Sequence, residues 1–402
     1  MKQQLTDCKS TTDKPARILL FPSAYYPNFG GVEEICRLLA ESLRRQGFEV
    51  AIAVNRWPAN TKETEVLWDV PVHRFDFAGP SKQTVWQTWR LLPRSLAFNK
   101  FMEQWKPDIV HVICPSVNSF YLWISQLRRK CKVVVTLQGE LFMDQHDLYG
   151  KSLFARWSLQ QLLNLTDAVT ACSRYVLDDA ARRFCLPKVA QKVVFNGVDL
   201  TESNGNSTCS QNMRKYILGV GRMVRNKDFD TLIRGFEQLS GEFKDLDLVL
   251  AGDGDHLPHL RQLADQLKIN ERVHFVGRQE RAEIGQLFAG CSCFIIPSAV
   301  EPFGIVCLEA MRAGKATIAC NAGGPPEFIV NGENGLLVHP RRPAELASAM
   351  RVLLSDTVLR ERLGARAYAD VQSFSWTKIT SQYINIYRDC LSQNEPLVEV
   401  LR

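Results

Sequence analysis

Two carboxylates flank a turn and a predicted helix start within the segment EPFGIVCLE, residues 301–309. Backbone amides of Gly304 and Ile305 could bind a phosphate there, because the first N–H groups of a helix have no partner within the helix. Glu301 and Glu309 are spaced along such a ligand, where their oxygens could accept hydrogen bonds from sugar hydroxyls. The segment indicates a phosphorylated sugar ligand, with a helix-terminal glutamate and an unrelated surface glutamate as the alternative.

A second segment, GVGRMVRNKD, contains two basic residues five positions apart, Arg222 and Lys227, shortly after Gly221. A guanidinium fork and an ammonium point charge suit a diphosphate. The segment has no third glycine to complete a dinucleotide-binding fingerprint. It therefore favours a diphosphate site, and a solvated basic loop is the alternative.

Glycines also mark three other predicted strand ends. Gly30 and Gly31 follow the first apolar run and open a helix, so they indicate either close approach of a phosphate or a structural turn. The Gly-Asp-Gly sequence at 252–254 predicts a tight turn. Gly277 precedes Arg278, which joins the candidate ligand-binding residues.

Short apolar runs alternate with amphipathic stretches along the 402 residues. The runs are continuous, which is typical of parallel strands covered by helices on both faces, and the chain is too long for a single core. The pattern predicts an α/β protein with two doubly wound, Rossmann-like domains facing a central cleft. The predicted divisions are a disordered lead-in at 1–14, an N-terminal domain at 15–198, a linker at 199–213, a C-terminal domain at 214–373 and a final helical segment at 374–402.

The individual elements follow from the same pattern. The predicted strands are 17–21, 49–54, 108–113, 132–137, 168–171, 192–195, 216–220, 246–251, 273–276, 293–297, 316–319 and 335–338. The principal predicted helices are 32–46, 228–239, 257–267, 280–289, 304–313, 342–354 and 376–392.

In this order and combination, the motifs resemble those of the family 4 retaining glycosyltransferases, the glycogen-synthase-like group with the GT-B fold. The resemblance covers nearly the whole chain and includes the segments NAGGPPE at 321–327 and NGENG at 331–335. It implies a nucleotide-diphosphate sugar as the donor substrate, linked to UDP or GDP, and no other cofactor. The implied acceptor is a glycan or a lipid-linked glycan.

The resemblance also implies roles for individual residues. Arg222 and Lys227 would bind the donor diphosphate, Glu301 would hold hydroxyls of the transferred sugar, and Glu309 would hold the ribose hydroxyls. The implied phosphate cradle consists of the amides of Gly304 and Ile305, next to Phe303, together with Gly30 and Gly31 across the cleft. The last helix would cross back onto the N-terminal domain.

The implied reaction is a same-face substitution through an oxocarbenium-like state, in which the departing phosphate takes the acceptor proton. Arg222, Lys227 and the predicted helix N-terminus would stabilise the leaving group without a metal. A phosphorylase, a nucleotide-sugar epimerase and a catalytically silent sugar-binding homologue stay open as alternatives.

One departure from the family pattern concerns the segment TLQGE at 136–140. Many family members have a histidine in the loop after the matching strand, whereas this chain has Gln138, which cannot act as a base. Glu140 and His146 are candidates for orienting or assisting the acceptor.

The net charge of +6 lies in the first half of the chain, which holds 26 Lys/Arg and 19 Asp/Glu among residues 1–200. Within 82–106, five basic residues alternate with aromatic ones. This composition fits either an interfacial helix on an anionic membrane or two short helices packed on the N-terminal sheet, since Pro93 interrupts the segment. No nucleic-acid-binding motif accompanies the positive charge.

The polar N-terminus lacks the apolar region of a secretory signal, and no apolar run is long enough to span a bilayer. The sequence therefore predicts a cytoplasmic location, and the segment 82–106 leaves peripheral contact with the cytoplasmic membrane face open. The twelve cysteines are scattered and indicate free thiols. They form no set with the histidines that has zinc-ligand spacing, so no metal site is predicted.

Overall fold

The computed structural model describes residues 14–28, 30–77, 91–116, 118–128, 131–143, 148–201 and 214–392. The chain divides into two compact units. The N-terminal unit comprises Met1–Phe195 and Trp376–Arg402, and the C-terminal unit comprises Asn196–Ser375. Each unit contains one α/β sheet that is parallel throughout, apart from one strand in the N-terminal unit.

The N-terminal sheet has eight strands in the order β3-β4-β2-β1-β5-β6-β7-β8, and only β3 runs antiparallel to its neighbour. Its central strands are buried along their length because their apolar side chains are covered on both faces. The strands are β1 (Arg17–Pro22), β2 (Glu49–Asn55), β3 (Thr64–Leu67), β4 (Val70–Phe75), β5 (Ile109–Ile113), β6 (Lys132–Leu137), β7 (Ala168–Ala171) and β8 (Ala190–Val193).

The helices of this unit include the last helix of the chain, which packs against α1 and β6. The prediction that it returns to the N-terminal domain is therefore confirmed. The helices are α1 (Gly31–Arg45), α2 (Leu91–Trp105), α3 (Ser119–Arg128), α4 (Glu140–Met143), α5 (Leu148–Lys151), α6 (Leu153–Asn164), α7 (Arg174–Arg183) and α14 (Trp376–Ser392).

The C-terminal sheet has six parallel strands in the order β11-β10-β9-β12-β13-β14. The strands are β9 (Lys215–Val220), β10 (Leu246–Ala251), β11 (Val273–Gly277), β12 (Cys293–Ile296), β13 (Thr317–Cys320) and β14 (Leu336–Val338). The helices are α8 (Phe229–Glu237), α9 (Leu257–Gln266), α10 (Arg281–Gly290), α11 (Ile305–Arg312), α12 (Pro343–Ser355) and α13 (Thr357–Asp370). The predicted fold class, two doubly wound α/β domains, is confirmed.

The sequence pattern missed β3, β4 and α13, and it named no bounds for α3 to α7. Strands β3 and β4 carry alternating polar and apolar residues and form an edge hairpin, so they lack the continuous apolar run used to find the other strands. Helix α13 has exposed charged residues on most of its surface and buries only a few small and apolar side chains. The strand predicted at 192–195 lies at Ala190–Val193, because this edge strand is mostly exposed and its pattern is weak.

Helix α2 is the described part of the basic, aromatic segment at 82–106, and residues 82–90 lie outside the described residues. Phe98 is fully buried, and it packs on Phe21 and Phe75 of the sheet. Phe101 also contacts Phe75. The described half of the segment thus packs inward. Over the described ranges, none of the helices combines the length and apolar character needed to cross a membrane.

A buried polar network attaches α14 to the centre of the N-terminal sheet. The His111 Nδ1 atom lies 2.6 Å from the Tyr387 hydroxyl, and its Nε2 atom lies 2.6 Å from Thr136 Oγ1. Thr136 in turn contacts Thr170 Oγ1 at 2.6 Å. Burial lowers the pKa of His111 to about 3, so the imidazole is neutral and each ring nitrogen has a hydroxyl partner.

Tyr387→Phe removes one of these partners and leaves a buried imidazole nitrogen unpaired. We expect the variant to lose ~1–3 kcal/mol of unfolding free energy, measured as a lower midpoint in urea. Tyr368→Phe, on the exposed surface of α13 (54% exposed), is the matched control and should change stability by less than about 0.5 kcal/mol. Equal midpoints for the two variants would contradict a stabilising role for the network.

Candidate active site

The C-terminal sheet reverses its strand order between β9 and β12. From β9 the chain first builds β10 and β11 on one side, and then β12, β13 and β14 on the other. In open parallel sheets, ligands bind at such a point, beyond the carboxyl ends of the strands. The loop after β9 carries Arg222 and Lys227, and the loop after β12 carries Glu301, so both predicted motifs lie at this point.

Lys227 and Glu301 form an ion pair, with Nζ 2.6 Å from Oε2. The Ser298 hydroxyl donates to the same Glu301 oxygen at 2.7 Å. The side chains of Lys227 and Glu301 are 16% and 7% exposed, so water screens the pair only weakly. The carboxylate is thereby held in one position through its Oε2 atom.

The backbones of the same two loops are also joined. The Ala299 amide, just before Glu301, donates to the Asn226 carbonyl, just before Lys227, at 3.3 Å. The relative position of the ammonium and the carboxylate is therefore set by main-chain contact as well as by their own attraction.

Glycines after β10 allow that loop to touch the Arg222–Lys227 loop. A Cβ at Gly252 would lie 1.9 Å from the Gly221 carbonyl oxygen, and one at Gly254 would lie 2.4 Å from the Met223 oxygen. The Met223 amide donates to the Asp253 carbonyl at 2.9 Å. The predicted tight turn at 252–254 thus supports the basic loop through a backbone approach that side chains would block.

Glycines after β13 support Glu301 in the same way. Gly323 pairs with Glu301 in a short parallel bridge, and the Gly324 amide donates to the Glu301 carbonyl at 2.8 Å. A Cβ at Gly323 would lie 2.0 Å from that carbonyl oxygen, and one at Gly324 would lie 2.3 Å from the Pro302 oxygen. The family-like segment at 321–327 therefore positions the backbone of Glu301.

Helix α11 begins at Ile305, one residue later than the start predicted at 304. Gly304 is its N-cap with φ 93°, a left-handed conformation, and no side chain caps the helix there. Phe303 is buried against Phe328, with ring centroids 4.9 Å apart, which anchors the turn. Glu309 lies in the second turn of α11 and is partly buried.

The two predicted arginines differ from Lys227 in their surroundings. Arg222 is exposed on the loop after β9. Arg278 is exposed directly after β11, the edge strand two positions from β9. The structure brings Lys227 and Glu301 into contact and places Arg222 on the same loop, whereas Arg278 lies farther along the sheet edge. Ser298, a direct partner of Glu301, was missed because a serine after a strand has no distinctive sequence signal.

In the N-terminal unit, Gly30 is the N-cap of α1 with an extended backbone (φ −177°), and Gly31 is the first residue of the helix. A Cβ atom at Gly30 would lie 2.8 Å from Glu33 Oε2. Gly30 thus makes room for a carboxylate in the first turn of α1, where the helix dipole favours negative charge.

The loop after β6 holds the candidate acceptor residues. Glu140 begins α4, and its Oε2 atom accepts a hydrogen bond from the Gln138 amide at 2.7 Å. The Glu140 Oε1 atom is buried and has no hydrogen-bond partner among the described residues. Burial raises the pKa of Glu140 to about 7, although the Gln138 amide opposes the shift. His146 lies outside the described residues.

Two α/β units, each built on a largely parallel sheet, and a cation–carboxylate pair at a sheet switch point agree with the GT-B glycosyltransferase fold. The model for "Glycosyltransferase Family 4" matches residues 29–202, and the model for "Glycosyl transferases group 1" matches residues 202–370. The chain belongs to the family 4 glycosyltransferases with the GT-B fold.

One sequence relative agrees with this membership, and two solved structures share the fold. An uncharacterized glycosyltransferase of Methanocaldococcus jannaschii, MJ1607, is 28% identical over 89% of this chain and 94% of its own length. The sucrose-phosphate synthase of Thermosynechococcus elongatus has a TM-score of 0.79 at 21% identity, covering 94% of this chain and 100% of that structure. Anabaena Alr3699/HepE in complex with UDP-glucose has a TM-score of 0.74 at 22% identity, covering 94% and 99%.

Gly323→Ala tests the backbone support of Glu301, and Gly332→Ala is its matched control. Both glycines have positive φ, 96° and 81°, but a Cβ at Gly332 meets nothing within 4 Å. Both variants incur the strain of a left-handed alanine, ~1–2 kcal/mol. We expect Gly323→Ala to lose a further ~1–3 kcal/mol through overpacking, measured by urea unfolding. The same urea midpoint for both variants would show that the close approach of Gly323 to the Glu301 carbonyl oxygen adds nothing to the cost of the substitution.

Proposed function

We propose that this protein transfers a hexose-type sugar from a UDP- or GDP-linked donor to a glycan or lipid-linked acceptor, with retention of anomeric configuration and without a metal ion. The observation that carries the proposal is the ion pair between Lys227 Nζ and Glu301 Oε2 at 2.6 Å, located where the C-terminal sheet reverses its strand order. The complex of the Anabaena protein with UDP-glucose supports a UDP-sugar as the first donor to test.

The donor would bind with its diphosphate between Lys227, Arg222 and the N-terminus of α11. Negative charge develops on the diphosphate as the bond to the sugar breaks, and preorganised cations and amides stabilise it. The second donor-binding carboxylate, Glu309, would accept hydrogen bonds from the ribose hydroxyls. Gly30 and Gly31 in the N-terminal unit, and Arg278 after β11, are the further proposed donor contacts.

Glu301 would receive hydroxyls of the transferred sugar on its second oxygen, while Lys227 and Ser298 hold the first. In the proposed reaction, the bond between the anomeric carbon and the diphosphate oxygen breaks, and an acceptor oxygen bonds to that carbon on the same face. The acceptor proton moves to the departing phosphate oxygen. Arg222, Lys227 and Glu301 are thus the proposed catalytic residues.

Glu140 is the proposed acceptor-side residue, because its buried Oε1 has no hydrogen-bond partner among the described residues. With a pKa of about 7, it can accept a hydrogen bond from an acceptor hydroxyl when ionised. Gln138 and His146 stay predictions for the same role. A cytoplasmic location and peripheral membrane contact through 82–106 also stay predictions.

Lys227→Ala removes the cation proposed to bind the diphosphate and leaves Glu301 without its ion-pair partner. We expect at least a tenfold loss of sugar transfer, equivalent to ~1.4 kcal/mol, and a weaker rise in melting temperature with millimolar UDP or GDP. Arg225→Ala is the matched control, because Arg225 is an exposed cation in the same 3-10 turn, Arg225–Lys227. Transfer by the control should match that of the wild type.

Glu309→Ala should also lose at least tenfold, through lost ribose contacts. Wild-type turnover in folded Lys227→Ala and Glu309→Ala would contradict the assignment of these residues to the donor site.

The product of the wild-type reaction tests the chemistry. An inverted anomeric centre, a sugar phosphate formed from a glycoside and phosphate, or an epimerised donor would each contradict retaining transfer. Loss of turnover in EDTA that Mg²⁺ restores would contradict metal independence.

Glu140→Gln keeps the shape of the side chain and removes its titration. We expect a lower rate with acceptor and unchanged nucleotide binding. The wild-type rate should rise as pH increases through about 7, the pKa that burial gives Glu140, because a raised carboxyl pKa leaves the group protonated below that value. The variant should lose this rise. An unchanged pH–rate profile in Glu140→Gln would exclude the acceptor role.

A further inference from the structure

Three side chains with metal-ligating atoms converge beside the basic loop of the C-terminal unit. Asp230 is in the first turn of α8, His256 directly precedes α9, and His259 is in the first turn of α9. Their ligand atoms, two imidazole nitrogens and a carboxylate oxygen, lie within 4.8 Å of one another. The proposed donor and acceptor chemistry uses none of the three.

The two imidazoles share the one carboxylate. His256 Nε2 lies 2.7 Å from Asp230 Oδ2, and His259 Nε2 lies 2.7 Å from Asp230 Oδ1. The rings are stacked, with centroids 4.5 Å apart and planes 25° from parallel. Both Nε2 atoms therefore point towards the same carboxylate from the same side of α9.

The surroundings keep this ligand set available. The side chain of His256 is 12% exposed and that of His259 is 52% exposed. The site thus has an inner ligand held by packing and an outer ligand that a solvated ion can reach.

We propose that Asp230, His256 and His259 form a binding site for one divalent transition-metal ion of the zinc type. Two imidazole nitrogens and one carboxylate are a common ligand set for such ions, and imidazole disfavours Mg²⁺ and Ca²⁺. Tetrahedral bonds of ~2.0–2.2 Å would place ligand atoms ~3.3 Å apart, so the 2.7 Å contacts must open by about half an ångström. Each Nε2 would give its hydrogen to Nδ1 or to solvent on binding. Water would complete the coordination.

The proposed site contacts the neighbouring basic loop, residues 222–228, through the backbone. The His256 amide donates to the Met223 carbonyl at 2.9 Å, and Met223 follows Arg222. Asp230 lies two residues after Asp228, the left-handed residue at the end of the loop that occupies the N-cap position of α8. An ion held by Asp230 and the two histidines would connect the starts of α8 and α9 next to residues 222–228.

The experiment is a titration of the tag-free, reduced full-length chain with Zn²⁺ and Co²⁺, with Mg²⁺ as the comparison ion. We expect one Zn²⁺ per chain at this site, a rise of several degrees in melting temperature at saturation, and no such rise with Mg²⁺. With Co²⁺ we expect a ligand-field absorption band without the thiolate charge-transfer band that binding to cysteine would produce.

His259→Ala is the test variant, because its partly exposed side chain can be removed with little loss of packing. His339→Ala is the matched control, since His339 is another exposed histidine of this unit, paired with Glu345 at 3.0 Å. The control should bind Zn²⁺ like the wild type, and His259→Ala should lose the melting-temperature rise and at least tenfold in affinity. Equal Zn²⁺ binding by the two variants, or no binding by the wild type, would overturn the proposal.

Discussion

Close backbone contact between neighbouring loops is the constraint on which the C-terminal site depends. The loops after β9 and β12 meet through the Ala299 amide and the Asn226 carbonyl. Each is supported from its outer side by a glycine turn that leaves no room for a Cβ, at Gly252 and at Gly323. Four strand ends are thus fastened side by side, and the distance between an ammonium and a carboxylate from separate loops is fixed before any ligand arrives.

This rigidity determines how charge is distributed at the site. The Glu301 side chain is nearly buried and has lost most of its contact with water, and the contacts from Lys227 and Ser298 replace that hydration. Arg222 stays exposed on the same loop. A diphosphate that binds at the loop would meet Lys227, which Glu301 already orients, and Arg222, whose exposed side chain can adjust. The proposed site thus has a preorganised cation and an adaptable one.

The N-terminal unit uses buried polar contacts for a different purpose. His111, Tyr387 and the threonines of β6 and β7 satisfy one another inside the core, and they specify how the last helix of the chain docks on the first sheet. The neutral state of His111 has a consequence for acid stability. An unfolded histidine takes up a proton near its ordinary pKa of 6.5, whereas His111 does so only near 3. The network therefore loses stability as pH falls between these values.

The sequence by itself determined the α/β class and most strand positions, and it singled out the segments that carry Lys227 and Glu301, because periodicity and turn chemistry are local properties. Elements with weak local patterns, such as β3, β4 and α13, escaped it. Only the tertiary structure decided which distant side chains meet. Lys227 and Glu301 are 74 positions apart, and Asp230 is 26 and 29 positions from its two histidines. These contacts depend on strand order and on backbone approaches at glycines, which no local spacing encodes.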